Sequence, residues 1–161
     1  MSFVYLLSGS NLGNRKENLT RARVMIEQRI GDIRDLSSIY ETEPWGFAEK
    51  TNSFYNQAMK VSTSLSPFEL LDELLAIENE MGRLRNKKEY EARAIDIDIL
   101  FYDERIINTD RLIIPHPGIH VRRFTLEILL EIAPECVHPV FKKDIKTLLN
   151  ECKDDKKVRC L

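Results

Sequence analysis

The sequence predicts an α+β fold, an antiparallel sheet with helices packed on it and extra helices appended at the C-terminal end. Three observations carry this. Arg15 to Ile30 and Pro67 to Met81 repeat apolar residues at helical spacing. Phe3 to Leu7, Phe54 to Thr63 and Ile95 to Phe101 alternate, or run apolar, over strand lengths. The two kinds interleave as strand, helix, strand, strand, helix, strand, the order of a split βαβ unit and so of a ferredoxin-like sheet.

Each element follows from local chemistry. Phe3 to Leu7 reads as a buried first strand that ends in the turn-rich run Ser8 to Asn14. Leu19, Ala22, Met25 or Ile26, and Ile30 give the first helix its apolar face, and Gly31 stops it. Ile33 to Tyr40 is predicted as a second strand with weak alternation, followed by a long loop from Glu41 to Ser53 that carries Pro44, Trp45, Gly46 and Phe47. Loops of that length and aromatic content tend to serve function. After the strand Phe54 to Thr63, Ser66 supplies an N-cap, Pro67 a first helical position and Glu69 a first-turn acid; Gly82 ends that helix. Arg83 to Arg93 is polar and aperiodic, either a lid over phosphates or a surface loop. Asp103-Glu104 is predicted to turn a hairpin from the Ile95 strand into Arg105 to Ile107. A helix around Val121 to Ile132 ends before Pro134, a short one lies near Ile145 to Asn150, and the charged tail is expected to fray.

A chain of 161 residues with no internal repeat or linker is read as one domain over 1–161, large enough to bury a core without staples. With 43% hydrophobic and 31% charged residues, neither disorder nor a membrane class is favoured. A net charge of −2 gives no bulk attraction to nucleic acid or anionic lipid. No stretch approaches the roughly 18 apolar residues of a membrane span, and the N-terminus lacks the pattern of a signal peptide. Cys136, Cys152 and Cys160 form no C-x-x-C pair, which fits reduced thiols and a cytoplasmic protein.

Chemistry concentrates around Asp96 and Asp98. On a strand both side chains leave the same face, with Cα atoms roughly 6.5 to 7 Å apart, while Ile95, Ile97, Ile99 and Phe101 face a core. Two such acids suit Mg²⁺, which is usually held by one or two carboxylates plus substrate phosphates; a half-exposed strand with solvated acids shows the same alternation. Arg83, Arg85 and Arg93 flank the pair in sequence, and guanidinium forks bind phosphates. Glu78 lies near the apolar stripe of its helix, where a carboxylate needs a salt bridge or an opening toward ligand. Arg122, Arg123 and Phe124 open the next helix, a place that favours anions. His116 and His120 have the spacing of zinc ligands on a helix, with Cys136 and His138 further on, but Pro115, Pro117 and Gly118 argue against a helix there. Gly9-Ser10-Asn11-Leu12-Gly13 lacks the ending of a Walker A loop, and there is no G-x-G-x-x-G.

In order and spacing, these motifs together resemble the hydroxymethyldihydropterin pyrophosphokinase family of folate biosynthesis, to about Glu135. The resemblance rests on Gly9 to Gly13, Ser38 to Gly46, Phe54 to Ala58, Glu78, Gly82 to Arg85, Arg93 to Leu100, and Ile114 to Pro117 with Arg122 and Phe124. It implies transfer of pyrophosphate from ATP to the hydroxymethyl oxygen of a reduced pterin, releasing AMP. It implies Asp96 and Asp98 as ligands of two Mg²⁺ ions, and Arg83 and Arg93 as catalytic cations. Thr42, Glu43, Trp45, Phe54, Asn56 and Phe124 would bind the pterin, the two phenylalanines by stacking and Asn56 by reading an edge. Glu78, Arg85, Arg111, His116 and Arg122 would contact ATP, with Ile99 near the adenine. Tyr90, followed by Glu91-Ala92, stands where many members carry tryptophan followed by Gly-Pro. The expected partners are ATP and the pterin, with no nucleic acid and no membrane. Two other readings compete: an RNA-binding sheet with exposed aromatics, and an ATP phosphotransferase acting on another small molecule.

Overall fold

The computed structural model describes residues 1–43, 52–82 and 94–161. Its elements are β1 (Ser2–Ser10), α1 (Arg15–Arg29), β2 (Gly31–Leu36), β3 (Tyr40–Thr42), β4 (Phe54–Thr63), α2 (Pro67–Gly82) and β5 (Asp96–Tyr102). They continue with β6 (Ile107–Asn108), β7 (Ile113–Ile114), α3 (Arg123–Ile132), α4 (Ile145–Glu151) and β8 (Val158–Cys160). The main sheet runs β5-β1-β4-β3-β8, β2 also pairs with β4, and every pairing is antiparallel.

Sequence-local signals explain the two long helices. Asn14 caps α1 by accepting the Glu17 N–H at 3.1 Å, and the α1 stripe Leu19, Ala22, Ile26 is fully buried. Gly31 then brings the chain hard against β4, since a Cβ there would fall 1.9 Å from the Ser62 carbonyl oxygen. At α2, Ser66 and Glu69 form a reciprocal capping box: the Ser66 N–H donates to Glu69 Oε1 at 2.9 Å and the Glu69 N–H to Ser66 Oγ at 3.3 Å. The α2 residues Leu70, Leu74 and Ile77 meet the α1 stripe and the sheet residues Val4, Leu6, Met59, Val61, Ile97 and Ile99 in one core. A second core covers the other face, where Leu7, Ala58, Leu100 and Phe101 pack under Leu126, Ile128 and Leu129 of α3 and Ile145 and Leu148 of α4. The sheet is therefore buried on both sides.

Five expectations change. The first strand does not stop at Leu7 but runs through Gly9 and Ser10, which the pairings with β4 and β5 hold extended. The second strand is two, because the Ser37 hydroxyl takes the Ala58 N–H at 2.9 Å where a ladder partner would stand. Phe101 faces the α3 side, opposite to Ile95, Ile97 and Ile99, because Tyr5 pairs with Phe101 and Leu6 with Ile99, leaving Leu100 as a bulge. After β5 the chain turns, with Arg105 N–H donating to the Tyr102 carbonyl at 3.0 Å, but it does not return as a hairpin; Ile107–Asn108 pairs with Ile113–Ile114 in a separate small sheet. The tail does not fray either, since Val158–Cys160 adds to the open edge of β3. Among the described residues no helix is long and apolar enough to cross a membrane.

Candidate active site

Strand register assembles the site. Asp96 of β5 and Asn56 of β4 both pair with Gly9 of β1, Asp98 pairs with Leu7, and Thr42 of β3 pairs with Phe54. Alternation then sets Asp96, Asp98, Gly9, Asn56, Phe54 and Thr42 on the α3 side of the sheet, in the same face as Leu7 and Ala58. There they line a cavity of about 490 Å³, together with Arg122 and Phe124 at the start of α3, Glu43, and Leu71, Leu75, Glu78 and Ile97.

One end of this cavity is built to read a flat polar edge. Asn56 is buried, and its Nδ2 donates to Thr42 Oγ1 at 2.7 Å, which fixes the amide plane. The amide lies across Gly9, where a Cβ would meet Asn56 Oδ1 at 2.5 Å and Phe54 Cδ1 at 3.6 Å. Only glycine lets the amide rest against the strand in this way. Phe54 and Phe124 add aromatic surface to the same cavity.

The other end is charged. Asp96 is exposed and Asp98 half-buried, and both line the cavity. Two hard oxygen donors without nitrogen or sulfur suit a small divalent cation that completes its shell from water and substrate. Among the described residues no group of three His, Cys, Asp or Glu side chains forms a metal cage. The histidines of the zinc alternative separate: His116 Nε2 stands 3.8 Å from Asp98 Oδ2, whereas the rings of His120 and His138 pack on Phe141 with centroids 4.6 and 4.5 Å away. His116 Nδ1 accepts the Gly118 N–H at 2.9 Å, which leaves Nε2 to carry the proton toward Asp98. Burial pushes the His116 pKa below its ordinary value, with Arg122 acting in the same direction and Asp98 against it. The imidazole is thus a neutral donor near pH 7.

Glu78 has a structural partner at this end. Its buried carboxylate Oε2 accepts the backbone N–H of Ile97 at 2.7 Å, between the two aspartates. Ile99 faces the core under α1 and α2 and does not line the cavity. Nor does Arg111, which forms an exposed ion pair with Asp72 of α2. Trp45, Arg83, Arg85, Tyr90 and Arg93 lie outside the described residues. Leu71, which helical spacing alone places in the core, also lines the cavity. No sequence signal marks this, because the apolar stripe of α2 continues past the edge of β5 without a change in residue type.

Comparison with known proteins decides what this arrangement belongs to. A model of the 7,8-dihydro-6-hydroxymethylpterin-pyrophosphokinase family matches residues 5–134. The chain belongs to this family. It is a diphosphotransferase of folate biosynthesis. It is 40% identical over 146 residues to a 2-amino-4-hydroxy-6-hydroxymethyldihydropteridine pyrophosphokinase of Aquifex aeolicus, covering 91% of this chain and 89% of that one. It is 44% identical over 138 residues to a folic acid synthesis protein of Dictyostelium discoideum, covering 86% of this chain but 20% of the relative. The fold matches that of Plasmodium falciparum HPPK-DHPS solved with pteroate, at a TM-score of 0.74 and 18% identity, over 93% of this chain and 44% of that one. The chain therefore spans less than half the length of that solved chain and about a fifth of the Dictyostelium protein, as against most of the Aquifex one.

Proposed function

We propose that the cavity holds ATP and 6-hydroxymethyl-7,8-dihydropterin together and passes the β,γ-pyrophosphoryl group of ATP to the hydroxymethyl oxygen, releasing AMP. One observation carries the reading: the acid pair and the aromatic-amide wall line the same cavity. A flat heterocycle between Phe54 and Phe124 would have its edge read by Asn56, whose amide is already oriented by Thr42, and by the backbone near Glu43 and Trp45. Stacking supplies affinity and the amide supplies identity, since an unmatched edge would leave a buried polar group unpaired.

Asp96 and Asp98 fit two Mg²⁺ ions, which when bound would neutralise the triphosphate and make the phosphorus more electrophilic. Around them the protein's own groups orient the phosphates. Arg122 supplies a fixed cation, and His116 a neutral N–H donor that does not compete with a metal for charge. Glu78 holds the Ile97 amide, and with it the spacing of the two acids. Arg83 and Arg93 are assigned to charge developing on the transferred group, and Arg85 to ATP, on the strength of the family resemblance; Arg111 and Ile99, which stand outside the cavity walls, are given no contact with ATP. No side chain is assigned as general base.

The path β5-β1-β4-β2, with α1 joining β1 to β2 and α2 joining β4 to β5, supports the finer reading of the sheet as ferredoxin-like. We read residues 1–161 as a single pyrophosphokinase domain. Its partners in this reading are the two small substrates, not nucleic acid or membrane, and its place is the cytoplasm, where three free thiols are at home.

The test is turnover by Asp96→Asn and Asp98→Asn at saturating ATP, Mg²⁺ and pterin. Each should lose about two orders of magnitude or more in kcat with an unchanged melting temperature. Full turnover in both variants would remove the acids from the chemistry.

A further inference from the structure

The family match ends at residue 134, yet the segment after it touches both walls of the pterin end. On one wall, β8 pairs with β3 through Tyr40 and Cys160, Glu41 and Arg159, and Thr42 and Val158. A three-residue edge strand is marginal without a second neighbour, and Thr42 of this strand is what orients Asn56. On the other wall, the first N–H of α3, that of Arg123, donates to Asp154 Oδ2 at 3.0 Å. Arg122, at the N-cap position of α3, makes no side-chain cap bond, so Asp154 supplies the cap from the tail. Arg122 and Phe124 flank that amide and line the cavity. Between the two walls, Lys156 Nζ lies 4.0 Å from Oε2 of the cavity residue Glu43.

Glu41 receives the tail without entering the cavity. It alternates with Tyr40 and Thr42, so its carboxylate projects from the opposite face of β3, beside Tyr55. There the Arg159 guanidinium pairs with Glu41 Oε1, Ser53 Oγ donates to Oε2 at 2.8 Å, and Arg15 Nη1 stands 3.8 Å from Oε2. Arg15 closes the group by donating to Ser53 Oγ and the Ser53 carbonyl, both at 2.9 Å, with its guanidinium 3.8 Å from the Tyr55 ring centroid. The Ser53 hydroxyl, then Arg159 and Arg15, hold the Glu41 carboxyl below its usual pKa, which keeps the hub ionised. Ser53 immediately precedes Phe54, so the hub sets the last residue of β3 and the first of β4 from behind.

We infer that Glu41 and Asp154 are positioning residues for the pterin pocket, through which the C-terminal segment Asp154–Cys160 fixes its two walls relative to each other. Neither touches the reacting atoms, and the inference rests on the reading of Thr42, Asn56, Phe54 and Phe124 as the pterin end.

The experiment is steady-state kinetics and equilibrium titration of the reduced pterin on the full chain with Glu41→Ala, Glu41→Gln, Asp154→Ala and Asp154→Asn. Melting temperatures are recorded alongside. Each alanine variant should raise KM and Kd for the pterin by roughly fivefold to tenfold, the scale of one lost hydrogen bond. In the Glu41 variants KM for ATP and kcat at saturating pterin should change by less than about twofold, whereas Asp154→Ala, whose amide partner adjoins Arg122, should also raise KM for ATP, by less than its effect on the pterin. Glutamine and asparagine keep an acceptor for Ser53 and Arg123, so they should recover most of the pterin affinity. Unchanged pterin Kd in the alanine variants overturns the inference, as does an equal loss for both substrates that simply tracks a fall in melting temperature. Wild-type protein that turns over ATP without binding the pterin would overturn the underlying reading and this inference together, an outcome distinct from normal wild-type affinity with silent variants.

Discussion

Glu78 Oε2 accepts the N–H of Ile97 at 2.7 Å, which joins α2 to the one residue that separates Asp96 from Asp98. β5 is an edge strand of the main sheet, and an edge leaves alternate backbone N–H groups without a ladder partner. Here the carboxylate takes that place. Glu78→Ala should therefore cost about 1.5 to 3 kcal/mol in urea denaturation, the range for a hydrogen bond to a charged group, and lower turnover with it. Glu78→Gln retains an acceptor of the same reach and should stay within about 1 kcal/mol of wild type. Equal stability of all three proteins would show that the bond contributes nothing.

Gly9 and Asn56 make a second prediction. The Cβ of Gly9→Ala would lie 2.5 Å from Asn56 Oδ1, and the amide, being the movable partner, would leave its position on Thr42. The variant should fold, because nothing but that side chain is closer than 3.6 Å, yet KM for the pterin should rise by about tenfold with little change for ATP. A loss confined to ATP would place the pterin elsewhere.

Some elements could be read from the sequence and others could not, for physical reasons. β4 appears with its expected bounds, because its alternation is regular and Ser66-Pro67 marks the start of the next helix. Asp96 and Asp98 share a face because alternation is a local property of a strand, and their common cavity with Asn56 arises because Asp96 and Asn56 both pair with Gly9. The side taken by Phe101 was not legible, because the bulge at Leu100 exists only in the register between β1 and β5. β8 was not legible because Val158–Cys160 has no apolar pattern, and its order comes from the edge of β3, over a hundred residues earlier. The partner of Glu78 belongs to the same class, a carboxylate whose use is set by a backbone group nineteen residues away.

Carboxylate caps predict the acid limb of stability. The Ser66 N–H and hydroxyl hold Glu69 below its ordinary pKa, and Thr147, through its hydroxyl and its N–H, does the same for Asp144 at the start of α4. Groups whose folded pKa is depressed stabilise the fold fully above their unfolded value, near 4, and lose that contribution as pH falls through the folded value. Burial also holds His116 and His138 below the ordinary histidine value, so the melting temperature should decline gently as pH falls through about 6.5 and drop more steeply below about pH 4. Asp144→Asn and Glu69→Gln should each flatten that drop in a pH series of thermal melts. A drop below about pH 4 that stays undiminished in both variants would remove the two caps from the acid limb.

Transfer of pyrophosphate from ATP to a reduced pterin in this cavity is tested most directly by the nucleotide it leaves behind. The protein is incubated with ATP, Mg²⁺ and 6-hydroxymethyl-7,8-dihydropterin, and AMP is resolved from ADP. AMP should form in one-to-one ratio with a pterin diphosphate, and none should form when the pterin is left out. Pterin-dependent ADP would mean transfer of a single phosphoryl group and would contradict the assignment.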